Sequence, residues 1–377
     1  MMKRRQIYLV PGFLGFSNIG GLNYFQGVRK VLSEALARQG VEAEIIECRT
    51  KPTASIRHRA ERLVDEVCKN GGLEAEELHF VGHSTGGLDA RLLCTPSVRL
   101  RTDTRIERDI VARTRSVITM ATPHFGTPLA SFFMTVLGRQ LLEAIAALAT
   151  SRSGQMGILG TAQLVGLTQG ARDLIGRDRT RFLDTVSKKF VSLTTESGED
   201  MWAYFREIAS DQGAMVQLMP EAMHLFNAAV TDHQTIRYSS LVAISPPPLT
   251  GYNATDLLSP VRIALAAVFI LLHNTTASEH RHYPYPNPAE EVLASYEEAL
   301  PYLLNSRSND GIVPTLSQVY GRVIDIVVAD HLDIVGHFKR DDFPQGDWLP
   351  SGSHYDRAHF EKTWDGVAEE IMLASAG

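Results

Sequence analysis

Residues Gly82-His83-Ser84-Thr85-Gly86-Gly87 follow the short apolar run Leu78–Val81 and precede a helical pattern. A G-x-S-x-G pattern between strand and helix holds the serine hydroxyl on a tight turn, facing substrate. Small residues are needed at 82 and 86, because side chains there would collide where strand and helix pass. A serine is a poor nucleophile at neutral pH. It needs a histidine to take its proton, and the histidine needs an acid to fix its tautomer and stabilise the imidazolium. For a serine on such a turn, the expected chain order is serine, acid, histidine. Asn309-Asp310-Gly311-Ile312-Val313-Pro314 sets Asp310 in a turn before the last apolar strand, and Ala329-Asp330-His331-Leu332-Asp333 sets His331 just after that strand. Ser84, Asp310 and His331 are therefore the candidate catalytic residues for acyl transfer. Rivals are weaker. Asp325 lies inside the strand pattern, Asp330 adjoins the histidine in sequence, and His337 falls in the following apolar segment.

The tetrahedral intermediate of such a reaction carries an oxyanion that needs preorganised donors, usually two backbone N–H groups. One is expected from Thr85, the residue after the nucleophile. The other is expected from the loop Pro11-Gly12-Phe13-Leu14-Gly15-Phe16, at Phe13, with Leu14 as the alternative.

These residues need strands to present them. Ile7–Val10 and Leu78–Val81 are short apolar runs bounded by turn residues, the pattern of strands buried on both faces. Further strands are predicted at Ala43–Cys48, Ser116–Met120, Thr235–Ile244 and Val323–Val328, with helices at Val28–Gln39, Ile56–Lys69, Leu88–Cys94 and Arg357–Ala374. Alternation of strand and helix predicts an α/β fold with a mostly parallel sheet flanked by helices, its site at the carboxyl ends of the strands. Between about 129 and 234 the strand signal fades into a largely helical cap or lid, including Leu141–Ala149 and Met201–Ile208. The predicted division is a core over 1–128, a cap over 129–234, and the remaining core over 235–377 with an insertion at about 249–305.

Composition bounds the partners. The chain has 377 residues, 44% of them hydrophobic, and a formal net charge of −6. Lys and Arg are dispersed rather than gathered in a stripe, so nucleic acid is not an expected partner. Cys48, Cys68 and Cys94 are an odd number without metal-ligand spacing, which fits reduced thiols in the cytoplasm. Pro11 and Gly12 break the apolar run Ile7–Val10 before it reaches the ~7–15 residues of a secretion signal. The expected location is cytoplasmic, with secretion by a signal-independent route left open. The apolar run Ile263–Leu272 is too short to span a bilayer, which takes ~20 residues, and reads as a buried or cap helix. His273, His280 and His282 lack cysteine or H-E-x-x-H support for zinc, and His124 is expected to brace its loop.

Pro11–Gly27, G-H-S-T-G-G at 82–87, T-P-H-F-G-T-P at 122–128, N-D-G-I-V-P at 309–314 and D-H-L-D at 330–333 together resemble, in order, the landmarks of bacterial triacylglycerol lipases and esterases of the α/β-hydrolase superfamily. The resemblance covers roughly 1–130 and 235–340. It implies a Ser84–His331–Asp310 triad with Phe13 and Thr85 as oxyanion donors. Pro11 stands where those lipases usually carry a histidine. Relatives often hold a structural calcium, whose two carboxylate positions fall on Asp333 and near Ala254, with Asp256 two residues away. No cofactor is required by the expected chemistry, and calcium is a weak candidate at Asp256 and Asp333. The expected activity is hydrolysis of carboxylic esters bearing an acyl chain, with transient contact at a lipid surface. A polyester depolymerase, a thioesterase or an acyltransferase would use the same triad, and a non-catalytic ligand-binding protein is a further alternative on this fold.

Overall fold

The computed structural model describes residues 4–13, 23–100, 104–135, 211, 213–252, 260–278, 285–286, 288, 304–340 and 346–376. Its centre is a sheet of six parallel strands: β1 (Arg5–Val10), β2 (Glu44–Glu47), β3 (Glu77–His83), β4 (Thr114–Met120), β5 (Arg237–Ile244) and β6 (Arg322–Val328). Their spatial order is β2-β1-β3-β4-β5-β6. Leu9 lies opposite Val81, and Val81 opposite Ile118.

Parallel strands are stable when both faces are covered, so the strands carry unbroken apolar runs such as Ile7–Val10 and Leu241–Ile244 rather than strict alternation. Ile7, Leu9 and Val81 pack on one face with helix α1 (Val28–Arg38) and the last described helix, Arg357–Ala376. Tyr8, Val10 and Phe80 pack on the other face with α2 (Ile56–Lys69), α3 (Thr85–Leu93) and α4 (Arg105–Arg113). The chain steps from β1 outward to β2, then crosses back to β3 on the opposite side of β1. The loops after β1 and β3 therefore depart toward opposite faces and leave a crevice between them.

The boundaries differ from the expected ones in physically clear ways. Helix α3 begins at Thr85, directly after the serine, because Gly86 and Gly87 are tolerated where the helix must pass close to β1 and to the loop after β4. Helix α4 escaped the sequence reading because R-I-E-R-D-I-V-A-R carries only a narrow apolar stripe, of which Ile110 is the fully buried member. In the expected cap, the described parts are helical: α5 (Pro128–Phe133), α6 (Gly213–Gln217) and α7 (Pro220–Ala229). Leu141–Ala149 and Met201–Ile208 lie outside the described residues, as do His280 and His282. The apolar run at 263–272 forms the middle of α8 (Pro260–Thr276), and Arg357–Ala376 is α9. Among the described residues no helix is long and apolar enough to cross a membrane.

Two buried polar ties fasten the far side of the sheet. The Glu370 carboxylate on α9 accepts from Arg237 and Arg322 and, at 2.5 Å, from Ser239. His79 on β3 bonds Ser116 on β4 through Nδ1 at 2.8 Å and contacts Ser375 on α9 at 3.4 Å. Burial, helped by the Arg5 charge, pushes the His79 pKa down to about 3. A histidine kept neutral in the native state but free to protonate when unfolded contributes stability that is complete above pH ~6.5 and is lost as pH falls toward the native value. His79→Gln should therefore flatten the acid limb of a denaturant-measured stability profile, by up to ~1.4 kcal/mol per pH unit between pH 6 and 4.

Candidate active site

Ser84 closes β3 in a backbone conformation of φ 53° and ψ −128°. Such a position costs a non-glycine residue about 1–3 kcal/mol. It persists because its surroundings hold it: the Ser84 N–H donates to Met120 O at 2.8 Å, and Ser84 O accepts from Gly87 N at 3.1 Å. A Cβ on Gly86 would lie 2.2 Å from Val10 O, and one on Gly82 2.4 Å from Gly87 N. Strand and helix thus touch through their backbones. A buried ion pair seats the same corner. Arg59 on α2 reaches Asp89 on α3 at 2.8 Å, and its guanidinium also donates to Pro11 O at 2.6 Å and Lys51 O at 2.7 Å. Burial raises the Asp89 pKa to about 6, with the Arg59 charge pulling it back down.

His331 and Asp310 meet as the spacing predicts. His331 Nδ1–H donates to Asp310 Oδ2 at 2.8 Å, and the backbone N–H of His331 donates to Asp310 O at 2.9 Å. A carboxylate can only accept here, so the proton sits on Nδ1 and Nε2 is the basic nitrogen. Asp310 is fully buried, and its oxygens are occupied: Oδ1 accepts from Ile312 N at 2.9 Å and Val313 N at 2.7 Å, while Oδ2 also accepts from Gln318 Nε2 at 3.1 Å. Gln318 is itself locked on β5, accepting from Ala243 N at 2.7 Å. Thr127 Oγ1, donating to Ile312 O at 2.6 Å, pins the aspartate turn from the loop after β4. The histidine loop joins the serine strand through the residue beside Ser84. His83 Nε2 donates to His331 O at 2.9 Å, with the two rings 4.6 Å apart.

The rivals are engaged elsewhere. His337 is buried and donates from Nε2 to Tyr24 O at 2.9 Å, and burial pushes its pKa down to about 4. Asp330 accepts from Leu332 N, Asp333 N and Ser351 Oγ, and Asp325 sits within β6 opposite Leu241. Of the oxyanion candidates, Thr85 opens α3, where backbone N–H groups lack intrahelical acceptors. Phe13 sits on the loop after β1, across the crevice from it; Leu14 and the calcium candidate Asp256 lie outside the described residues.

Asp333 lines a pocket with Asp330, Asp347, Arg262 and Lys339. Its Oδ2 accepts from Asp330 N at 2.9 Å and Ser353 Oγ at 2.8 Å, and Arg262 reaches Asp347 at 3.3 Å. Burial and the Asp347 charge raise the Asp333 pKa to about 8. Arginine and lysine supply the positive charge here, and among the described residues no group of three or more His, Cys, Asp or Glu side chains is arranged to hold a metal ion.

Over the carboxyl edge lies an apolar cluster of Leu129 and Phe133 on α5, Met215 on α6, and Val268, Phe269 and Leu272 on α8, with Phe13 and Ile312 packed against it. His124 is a brace: Arg91 donates to its Nδ1 at 3.0 Å, its Nε2 donates to Thr119 Oγ1 at 3.0 Å, and Asn227 holds its carbonyl at 2.7 Å. Tyr24, His83, Gln318 and the Arg59–Asp89 pair were not singled out from sequence. His83 lies within the G-H-S triplet and Tyr24 within the segment shared with lipases, but their pairing is a product of the fold.

Residues 28–192 match the family described as "Putative serine esterase (DUF676)". A triacylglycerol lipase of Vibrio cholerae is 26% identical over 335 residues, covering 88% of this chain and 79% of that protein. Among solved structures, the Staphylococcus hyicus lipase aligns with a TM-score of 0.53 at 16% identity, over 99% of this chain and 96% of that one. Lipase 1 from Pelosinus fermentans aligns with a TM-score of 0.51 at 18% identity, over 98% and 99%. The fold is that of the α/β-hydrolases. Within that fold the chain is similar to bacterial lipases and esterases.

The backbone contact at the serine turn sets a stability test. Gly86→Ala should lower the melting temperature by an amount equivalent to about 1–3 kcal/mol, the usual cost of forcing extra volume into a packed site. Calorimetry at matched pH measures it.

Proposed function

We propose that this protein cleaves carboxylic esters through an acyl-enzyme formed on Ser84. The observation that carries the reading is the buried, fully hydrogen-bonded Asp310 holding His331 Nδ1 at 2.8 Å in a loop bonded to the residue beside Ser84. In the first step His331 Nε2 takes the Ser84 Oγ proton as the oxygen attacks the ester carbonyl carbon. The carbonyl electron pair moves onto oxygen, where the N–H groups of Phe13 and Thr85 receive it. Collapse of this intermediate breaks the bond to the alcohol, which leaves with the proton from His331. Water, deprotonated by His331, then attacks the acyl-serine and releases the acid. The apolar cluster around Phe133, Met215 and Phe269 supports an acyl chain as the part of the substrate that binds beside the serine.

Ser84→Ala should lower turnover of a p-nitrophenyl ester by roughly 10⁶-fold, and Asp310→Asn by about 10⁴-fold. His331→Ala should lose activity as Ser84→Ala does, whereas His337→Ala should keep a substantial part of it. Parental rates in Ser84→Ala would refute the reading, and retained activity in His331→Ala would refute the choice of base. A p-nitrophenyl ester series of increasing acyl length, measured below and above solubility, then separates esterase from lipase behaviour.

Metal dependence follows from the pocket at Asp333. Because Arg262 and Lys339 bring positive charge among its carboxylates, activity and melting temperature should be unchanged by EGTA. A calcium-reversible fall in either would show that a cation is needed there.

A further inference from the structure

Four groups form a single hydrogen-bonded file from the loop after β1 to the loop after β6. Gly12 N–H donates to Tyr24 Oη at 2.9 Å, Tyr24 Oη lies 2.6 Å from His83 Nδ1, and His83 Nε2 lies 2.9 Å from His331 O. The proton order is fixed by chemistry. The His331 carbonyl can only accept, so His83 carries its proton on Nε2 and presents a bare Nδ1. Tyr24 must then donate its hydroxyl proton to Nδ1, which leaves its oxygen lone pairs for the Gly12 N–H. Every donor in the file points toward His331, and aligned hydrogen bonds of this kind reinforce one another.

From this file we infer that Tyr24 and His83 are positioning residues which clamp the oxyanion loop to the backbone of the catalytic histidine loop, so that the two halves of the site are set in register by one hydrogen-bond chain. The inference rests on the ester-hydrolase reading above. Gly12 directly precedes Phe13, the proposed donor, and a Cβ on Gly12 would fall 2.5 Å from Ser84 Cβ, so this loop lies against the nucleophile. An oxyanion donor is effective only when held within about 0.5 Å of its working position. The Tyr24 end is anchored to the same histidine loop twice more: His337 Nε2 donates to Tyr24 O at 2.9 Å, and Gln26 N donates to Val335 O at 2.9 Å. Tyr24 and His83 are both buried, so water does not compete for the file. Burial, and then the nearby His331, also keep His83 uncharged. A protonated His83 would donate from both nitrogens and break the order.

The test compares kcat, KM and melting temperature on a soluble p-nitrophenyl ester for the parent, Tyr24→Phe, His83→Leu, His83→Gln and the Tyr24→Phe/His83→Leu double variant. Tyr24→Phe should lower kcat about 10–100-fold with KM within about threefold, because the loss falls on the transition state. His83→Gln retains one donor and one acceptor, and should keep markedly more activity than His83→Leu. The double variant should be no worse than about the poorer single one, since either change breaks the same file. Parental kcat in Tyr24→Phe, multiplying losses in the double variant, or equal losses in His83→Gln and His83→Leu would each overturn the clamp. Should Tyr24→Phe fail to fold, the Gln and Leu variants of His83 decide the question. If the parent shows no Ser84-dependent turnover, the ester-hydrolase reading fails and takes the clamp with it. A parent that turns over while Tyr24→Phe matches it sinks the clamp alone.

Discussion

The neighbouring strands β1 and β3 constrain everything around Ser84. They run parallel, yet the chain leaves them for opposite sides of the sheet, as the order β2-β1-β3-β4 requires. Loops that part in this way leave a crevice at the carboxyl ends of the strands, the usual place for a ligand in such a sheet. The serine strand and the loop through Gly12 and Phe13 face each other across it. Closeness there depends on two residues without side chains: a Cβ on Gly86 would meet the Val10 backbone, and one on Gly12 would meet Ser84 Cβ and the Tyr24 hydroxyl. A hydroxyl can be presented from a strained turn because the contacts on both sides leave it no relaxed alternative.

Buried polarity does the remaining alignment, and it is arranged so that almost every group is satisfied. Asp310 has two backbone donors, a locked glutamine and the imidazole. An unpaired carboxylate in that position would cost several kcal/mol. The same logic places Arg59 and Asp89 beneath the serine turn with no exposure. Such pairs add little net stability compared with well-packed apolar residues, but removing one partner is costly, so they favour one arrangement of α2, α3 and the loop at Pro11 over its neighbours.

The catalytic candidates were legible because their chemistry leaves a local trace. Ser84 sits in a five-residue motif, and Asp310 and His331 sit in turns on either side of an apolar run. Strand positions were legible for a related reason: residues buried on both faces, such as Ile7–Val10, form uninterrupted apolar runs. Helix α4 was not, because a solvent-facing helix of mostly charged residues has too narrow an apolar stripe to stand out. Tyr24, His83 and Gln318 were also missed. Tyr24 and His83 act through partners tens to hundreds of positions away, Gln318 ties Asp310 to a distant strand, and no local pattern distinguishes a tyrosine that orders a histidine from one that only fills space. His337 shows the converse. It offers a rival base in sequence, while in the fold it is buried and bonded to Tyr24 O.

Helix α9 has a consequence for how the molecule is made. It lays Phe360, Trp364, Val367 and Ile371 over the sheet face already lined by Ile7, Leu9 and Val81, and Glu370 fastens it to β5 and β6. During synthesis the earliest strands emerge long before this cover does, so the part of that face which α1 leaves open stays uncovered until the whole of α9 has been made.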